Sequence, residues 1–171
     1  MVSVLDALEV CRNARELCHD TPTAEFKRLC EGLPEPQGGV VVSRLRGRVD
    51  SRGRAWLDIQ ARGDVLVTCQ RCLGPLTLSL DVHNSLCVLN TQAELEAMDA
   101  LEAGGQGGET EYVLADQPLD GLALIEDELI LALPYAPAHA VCPGDQATEA
   151  ESDPDAQPAS PFAALARLKK H

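Results

Sequence analysis

The sequence predicts an α+β domain over residues 1–143, with N-terminal helices, an antiparallel β-sheet of about four strands and a buried C-terminal helix. Three observations carry this. Apolar residues recur at three- and four-residue steps before Pro34. From Val40 to Leu89 the period shortens to two and β-branched residues become frequent. Then "LDGLALIEDELILALPYAP" (119–137) brings a dense apolar run that proline brings to a stop.

In chain order, residues 4–18 read as a helix, with Val4, Ala7, Cys11, Ala14 and Leu17/Cys18 on one face. A second helix follows, with Thr21 as N-cap, Pro22 in the first helical position, and Phe26, Leu29, Cys30 and Leu33 as its stripe. Gly32 and Pro34 end it. "VVVSRLRGRVD", "AWLDIQARGDVLVTC" and "LTLSLDVHNSLCVL" read as strands. "DSRG" (50–53) is a hairpin turn, and Gly63-Asp64 a bulge or a second turn. Thr91 with Glu94 forms a capping box for a short helix that runs into a flexible Gly-rich loop at 104–108. On the last helix Leu122, Ile125, Leu129, Ala132 and Leu133 share the buried face. Glu126, Asp127 and Glu128 then read as a solvated run. Residues 144–160 read as a disordered acidic linker. Residues 161–171, with Phe162, Leu165 and Leu168 at three-residue steps, read as a basic amphipathic docking segment that folds on a partner, or else as a frayed terminus.

Charge is segregated along the chain. Residues 1–71 carry 11 Lys and Arg against 10 Asp and Glu, whereas residues 72–166 carry no Lys or Arg and 17 Asp and Glu. A stretch without cations does not wrap nucleic acid. It suits solubility or an acidic face offered to a basic partner. The chain shows no apolar run of eighteen residues and no basic, apolar leader, so the expectation is a cytoplasmic protein without a membrane span. In a reducing compartment its seven cysteines are thiols or metal ligands, and Cys11, Cys18 and Cys30 read as small buried hydrophobes.

The pair Cys69 and Cys72 has three readings: half of a metal site, a redox pair, or a turn. A redox Cys-x-x-Cys opens a helix, whose N-terminal dipole lowers the thiol pKa. Here Leu73-Gly74-Pro75 and an alternating strand follow, which suits a zinc knuckle instead. Two further ligands are needed. His83 and Cys87, four residues apart in a strand, stand roughly 13 Å from each other and do not chelate one ion. His139 and Cys142, in the proline-braced "PYAPAHAVCPG", have a chelating spacing and complete a Cys3His set for structural Zn2+. A Cys-x-x-Cys turn without metal stays open beside it.

Arg44, Arg46 and Arg48 alternate along one strand and project from one face, with Arg52 and Arg54 flanking the turn. Such a comb tracks RNA phosphates, or pairs with neighbouring acids as a solvated sheet face. No aromatic platform is expected beside it for stacking bases. Phosphate loops, nucleophile elbows and His-Glu-x-x-His are all missing, so no enzyme activity and no small-molecule substrate are expected.

Thr68-Cys69-Gln70-Arg71-Cys72, then "LALIEDELILALPYAPAH" (122–139), then "PFAALARLKK" (161–170) resemble, in that order, the YceD-like family of large ribosomal RNA subunit accumulation proteins. The resemblance implies a non-enzymatic ribosome biogenesis factor that supports synthesis, processing or stability of 23S rRNA. Its expected partners are a basic ribosomal protein or assembly factor and 23S rRNA, contacted directly or indirectly. The motif positions it implies are Cys69, Cys72, Glu126, Asp127, Glu128, Pro134, Pro137 and His139, with Cys142 after the Pro-x-x-Pro segment. Two alternatives are a thiol-disulfide oxidoreductase using Cys69 and Cys72, and a zinc-stapled adaptor unrelated to ribosomes.

Overall fold

The computed structural model describes residues 4–105 and 110–143. Its architecture is α+β, as the sequence predicts, but the N-terminal elements differ. The chain starts with a two-residue strand β1 (Val4–Leu5) and a short helix α1 (Ala7–Arg12). Asp6 caps α1, its carboxylate accepting from the Glu9 amide at 2.9 Å. The helix expected to reach residue 18 stops here. Residues 16–22 form strand β2 (Glu16–Pro22), antiparallel to β3 (Val40–Val49), with Leu17 opposite Leu45 and Thr21 opposite Val41. Leu17 and Cys18 are adjacent, so they fit either period, and a seven-residue ladder outweighs one more turn of helix. Cys18 is accordingly exposed, Cys30 is half-buried, and of the three N-terminal cysteines only Cys11 is buried.

Thr21 and Pro22 therefore end a strand instead of opening a helix. Proline is tolerated on this edge strand because no ladder amide is required there. The second helix shrinks to a 3-10 turn (Thr23–Glu25) and a single turn, α2 (Lys27–Cys30). Strand β4 (Ala55–Thr68) and strand β5 (Pro75–Leu89) form one unbroken ladder, in which Gly63 pairs with Leu80 and Asp64 with Ser79. Gly63-Asp64 is thus neither turn nor bulge. A Cβ at Gly63 would stand 2.8 Å from Val41 Cγ2, so glycine lets β3 pass closely. The "DSRG" turn is where the sequence places it, with Gly53 donating to the Asp50 carbonyl at 3.0 Å.

Helix α3 (Gln92–Ala103) carries the expected capping box and connects β5 to β6 (Glu111–Leu114), which adds parallel to β5. The main sheet has the order β2-β3-β4-β5-β6. A last short strand, β7 (Leu119–Asp120), pairs with β1. Helix α4 (Gly121–Ala132) follows at once, capped by Asp120.

One face of the sheet is the core. Val41, Leu45, Leu57, Ile59, Ala61, Val65 and Val67 alternate inward and meet Val10 and Cys11 of α1, Phe26 and Leu29, and Ile125 and Leu129 of α4. Each Val, Leu, Ile or Phe side chain among these contributes roughly 1.5–3 kcal/mol on burial. Helix α1 lies so close that a Cβ at Gly47 would meet the Val10 carbonyl oxygen at 2.4 Å. The other face of β3 points its side chains to solvent, as a one-sided antiparallel sheet does. The linker 144–160, the docking residues Phe162, Leu165 and Leu168, and most of the Gly-rich loop lie outside the described residues.

A candidate metal centre at the β4–β5 turn

The six residues 69–74 join β4 to β5. The Cys69 amide donates to the Gly74 carbonyl and the Leu73 amide to the Cys69 carbonyl, both at 2.9 Å. Leu73 takes φ 59°, a left-handed conformation that turns the chain back into the strand. No helix follows Cys72, so the dipole that a redox Cys-x-x-Cys uses is missing.

The loop after α4 lies against this turn. Pro134 ends the helix by forcing Leu133 out of helical geometry, to ψ 124°. The Gln70 amide donates to the Pro137 carbonyl at 2.8 Å, and the Arg71 guanidinium donates to the His139 carbonyl at 2.6 Å. The His139 amide reaches Cys69 Sγ at 3.4 Å. Backbone pairing thus delivers the imidazole to the thiols. His139 Nδ1 stands 3.4 Å from Cys72 Sγ, and Nε2 stands 3.1 Å from the Pro75 carbonyl oxygen. That oxygen only accepts, so in the neutral ring Nε2 carries the proton and Nδ1 keeps a lone pair directed at the thiols. Histidine ligands to metals are held in this way, with the distal N–H on a carbonyl fixing the tautomer.

Cys69 is fully buried. Its thiol is pushed down to about 5, first by the Cys72 backbone N–H, while burial opposes the shift and the amides of His139 and Arg71 assist it. A thiolate held by backbone donors is the form that ligates metals. Cys69, Cys72 and His139 offer donor atoms within 4.8 Å of one another, a group able to hold a metal ion; Cys142, the fourth expected ligand, is buried. His83 and Cys87 take no part in it. His83 is exposed and pairs with Asp81 at 3.0 Å, whereas Cys87 is buried.

The arginine comb is on the open sheet face, but much of its charge is already engaged. Arg44 pairs with Glu16 at 3.4 Å, Arg48 with Asp58 at 2.9 Å and Arg54 with Asp50 at 2.8 Å. Arg46 faces Asp58 in register, and Arg52 is exposed at the turn. The comb does have an aromatic beside it, contrary to expectation. The guanidinium groups of Arg48 and Arg54 lie 5.0 Å and 5.2 Å from the Trp56 ring centroid. Since the arginines cover that ring, it is a structural stack rather than a bare platform for bases.

The carboxylates of α4 are not a solvated run. Glu126 and Glu128 are buried, and only Asp127 is exposed. Glu126 accepts from the amides of Arg28 (2.7 Å) and Leu29 (3.2 Å) and from Arg28 Nε (3.0 Å), and Asp127 takes Arg28 Nη1 at 2.6 Å. Glu128 accepts from Asn84 at 2.9 Å, and burial pushes its carboxyl up, with the charges of Glu111 and Asp127 adding to the shift. The signal was present in the sequence. At 100° per residue Glu126 and Glu128 flank the Ile125–Leu129 stripe, and Asp127 alone stands opposite it.

These features define a class: a one-sided α+β domain in which a strand–turn–strand cysteine pair and a proline-braced histidine loop converge on a candidate metal centre. The chain matches the family model for the large ribosomal RNA subunit accumulation protein YceD over residues 57–169, and it belongs to that family. The match takes in the cysteine turn, α4 and the His139 loop. No solved structure matches the chain. No helix among the described residues is long and apolar enough to cross a membrane.

Proposed function

We propose that this chain is a non-enzymatic, cytoplasmic assembly factor of the large ribosomal subunit. It would support 23S rRNA accumulation by holding a basic ribosomal protein or assembly factor on its acidic half. Family membership supplies the ribosomal setting. The observation that carries the mode of action is charge segregation: residues 72–143 contain no Lys or Arg, and α3 alone brings Glu94, Glu96, Asp99 and Glu102. An anionic surface of this kind repels rRNA phosphates and attracts basic proteins. Arg44, Arg46, Arg48, Arg52 and Arg54 serve as auxiliary RNA contacts, limited by the acids they already neutralise. Residues 161–171, with Phe162, Leu165 and Leu168, form a docking segment on a linker spanning 144–160.

The metal centre is structural Zn2+, held by Cys69, Cys72, His139 and Cys142. The donor set, soft thiolates plus one imidazole with its distal N–H engaged, suits zinc. Zinc would supply a fixed geometry here and no chemistry. One observation favours the oxidoreductase reading, the depressed Cys69 thiol. The burial of that sulfur and the strand after Cys72 weigh against it.

Affinity capture of the full chain from cells tests the assembly role. Ribosomal proteins and pre-50S material should co-purify, and 23S rRNA should fall when the chain is depleted. Capture without either would refute it. Charge reversal at Arg44, Arg46 and Arg48 with normal 23S levels would remove RNA contact. Metal analysis should give about one zinc per chain, with thiols unreactive until chelation; a metal-free chain that readily cycles a Cys69–Cys72 disulfide would establish the oxidoreductase.

A further inference from the structure

Helix α3 has no buried side. None of its twelve residues is buried; Leu95 and Met98 are half-buried and Leu101 is 46% exposed. These three recur at three-residue steps and form an apolar stripe. A helix of this length is marginal in water by itself, and its capping box secures only the first turn. Between α3, α1 and the β3–β4 turn lies a cavity of about 460 Å³, with an apolar lining of Leu8, Val49, Val88, Leu89, Met98 and Tyr112. That volume is within the range of pockets that take a ligand or docked side chains, about 300–1,000 Å³.

The rim is asymmetric in charge. Glu94 of α3 lines the cavity with its carboxylate held in the capping box, and Glu96, Asp99 and Glu102 stand exposed further along the same helix. On the opposite wall Arg54 is neutralised by Asp50 at 2.8 Å, which leaves Arg12 as that wall's cation. A phosphate backbone would be repelled along the α3 edge. A helix carrying Lys and Arg along one edge and apolar residues below would meet complementary chemistry on both.

We propose that this groove is the docking site for a short basic amphipathic helix of a partner protein. Its apolar side chains fill the cavity over Met98 and Tyr112, and its cations lie along the acids of α3. The inference rests on the reading of the chain as a holder of a basic partner and gives that surface a location.

The test titrates the full chain with a synthetic amphipathic Lys/Leu helix of about 14 residues. Two controls run beside it, an oligolysine of equal charge and an rRNA fragment. The amphipathic peptide should bind about tenfold or more tightly than oligolysine, and Leu101→Asp or the pair Glu96→Lys/Asp99→Lys should each weaken it about tenfold. These three positions are exposed, so folding should survive, as circular dichroism would verify. Equal binding of oligolysine, tighter binding of the rRNA fragment at the same groove, or indifference to the α3 variants would overturn the proposal. So would a dimer that Leu101→Asp dissociates, which gives the groove to a second copy. Phe162→Asp/Leu165→Asp tightening the peptide about tenfold would give it to the chain's own C-terminal residues and likewise overturn the proposal. The 23S rRNA level in cells carrying the α3 variants is read separately. Peptide binding through the groove with 23S unchanged supports the docking site and refutes only the ribosomal reading.

Discussion

Two residues at the turn illustrate what the local chemistry requires. Leu73 holds a left-handed φ of 59° with its side chain 74% exposed, so it bears backbone strain without burying much. The left-handed conformation costs about 1–2 kcal/mol for an L-residue, and glycine's extra unfolded-state entropy costs roughly 0.5–1 kcal/mol. Leu73→Gly should therefore be neutral or stabilising by up to about 1.5 kcal/mol in chemical denaturation. A clear loss would mean that Leu73 packs on something at this tip. Cys69 makes a prediction about pH. Its folded thiol titrates near about 5 against an ordinary 9.0, so the folded chain favours the thiolate. The resulting stability is fully present above the ordinary thiol pKa and is lost as pH falls toward the folded value. Metal-free chain should thus weaken progressively between about pH 9 and about pH 5, and Cys69→Ser should flatten that slope in thermal melts across the same range.

At the scale of elements, α4 shows how neighbouring, chemically identical residues come to differ. Glu126 faces three N–H donors from Arg28 and Leu29, and Glu128 faces one amide from Asn84 beside the carboxylate of Glu111. Glu126→Gln sets an amide NH2 against donors and removes charge-assisted bonds, at a cost of about 1.5–3 kcal/mol. Glu128→Gln should stabilise at neutral pH. Its raised carboxyl pKa means that the folded state prefers the proton, so stability falls as pH rises from the ordinary 4.5 through the folded value, and glutamine lacks that loss. The gain should disappear below about pH 4.5 in pH-dependent denaturation. Opposite signs for one substitution two residues apart are the outcome to check. The legibility of the sequence follows the same division between local and distant causes. The capping box of α3, the proline stop of α4 and the Cys-x-x-Cys turn all act over a few residues, and each was readable. The role of Glu126 depends on Arg28, 98 positions away, and β2 exists because β3 pairs with it. The parallel strand β6, four residues long, was too short to stand out from its surroundings.

At the scale of the whole molecule, the placement of the candidate metal centre decides what metal removal should do. Small zinc fingers unfold without metal because the ion replaces a core they lack. Here the core is built separately. Leu45, Leu57, Ile59, Ile125 and Leu129 are fully buried where α1 and α4 cover the sheet. From Leu57 to Thr68, at the base of the cysteine turn, β4 runs eleven residue steps, roughly 36 Å of strand. An ion at the tip thus lacks direct contact with most of the core, and its binding energy acts on the turn and on the backbone pairing of Gln70 with Pro137. Chelation should therefore cause local opening. Hydrogen exchange should lose protection around residues 66–77 and 137–139 while residues 41–61 keep theirs, and thermal unfolding should stay cooperative at a lowered midpoint. Uniform loss of protection across both sets would make the metal a folding nucleus and contradict this division of roles. No change in either set would mean that no metal is held at the turn.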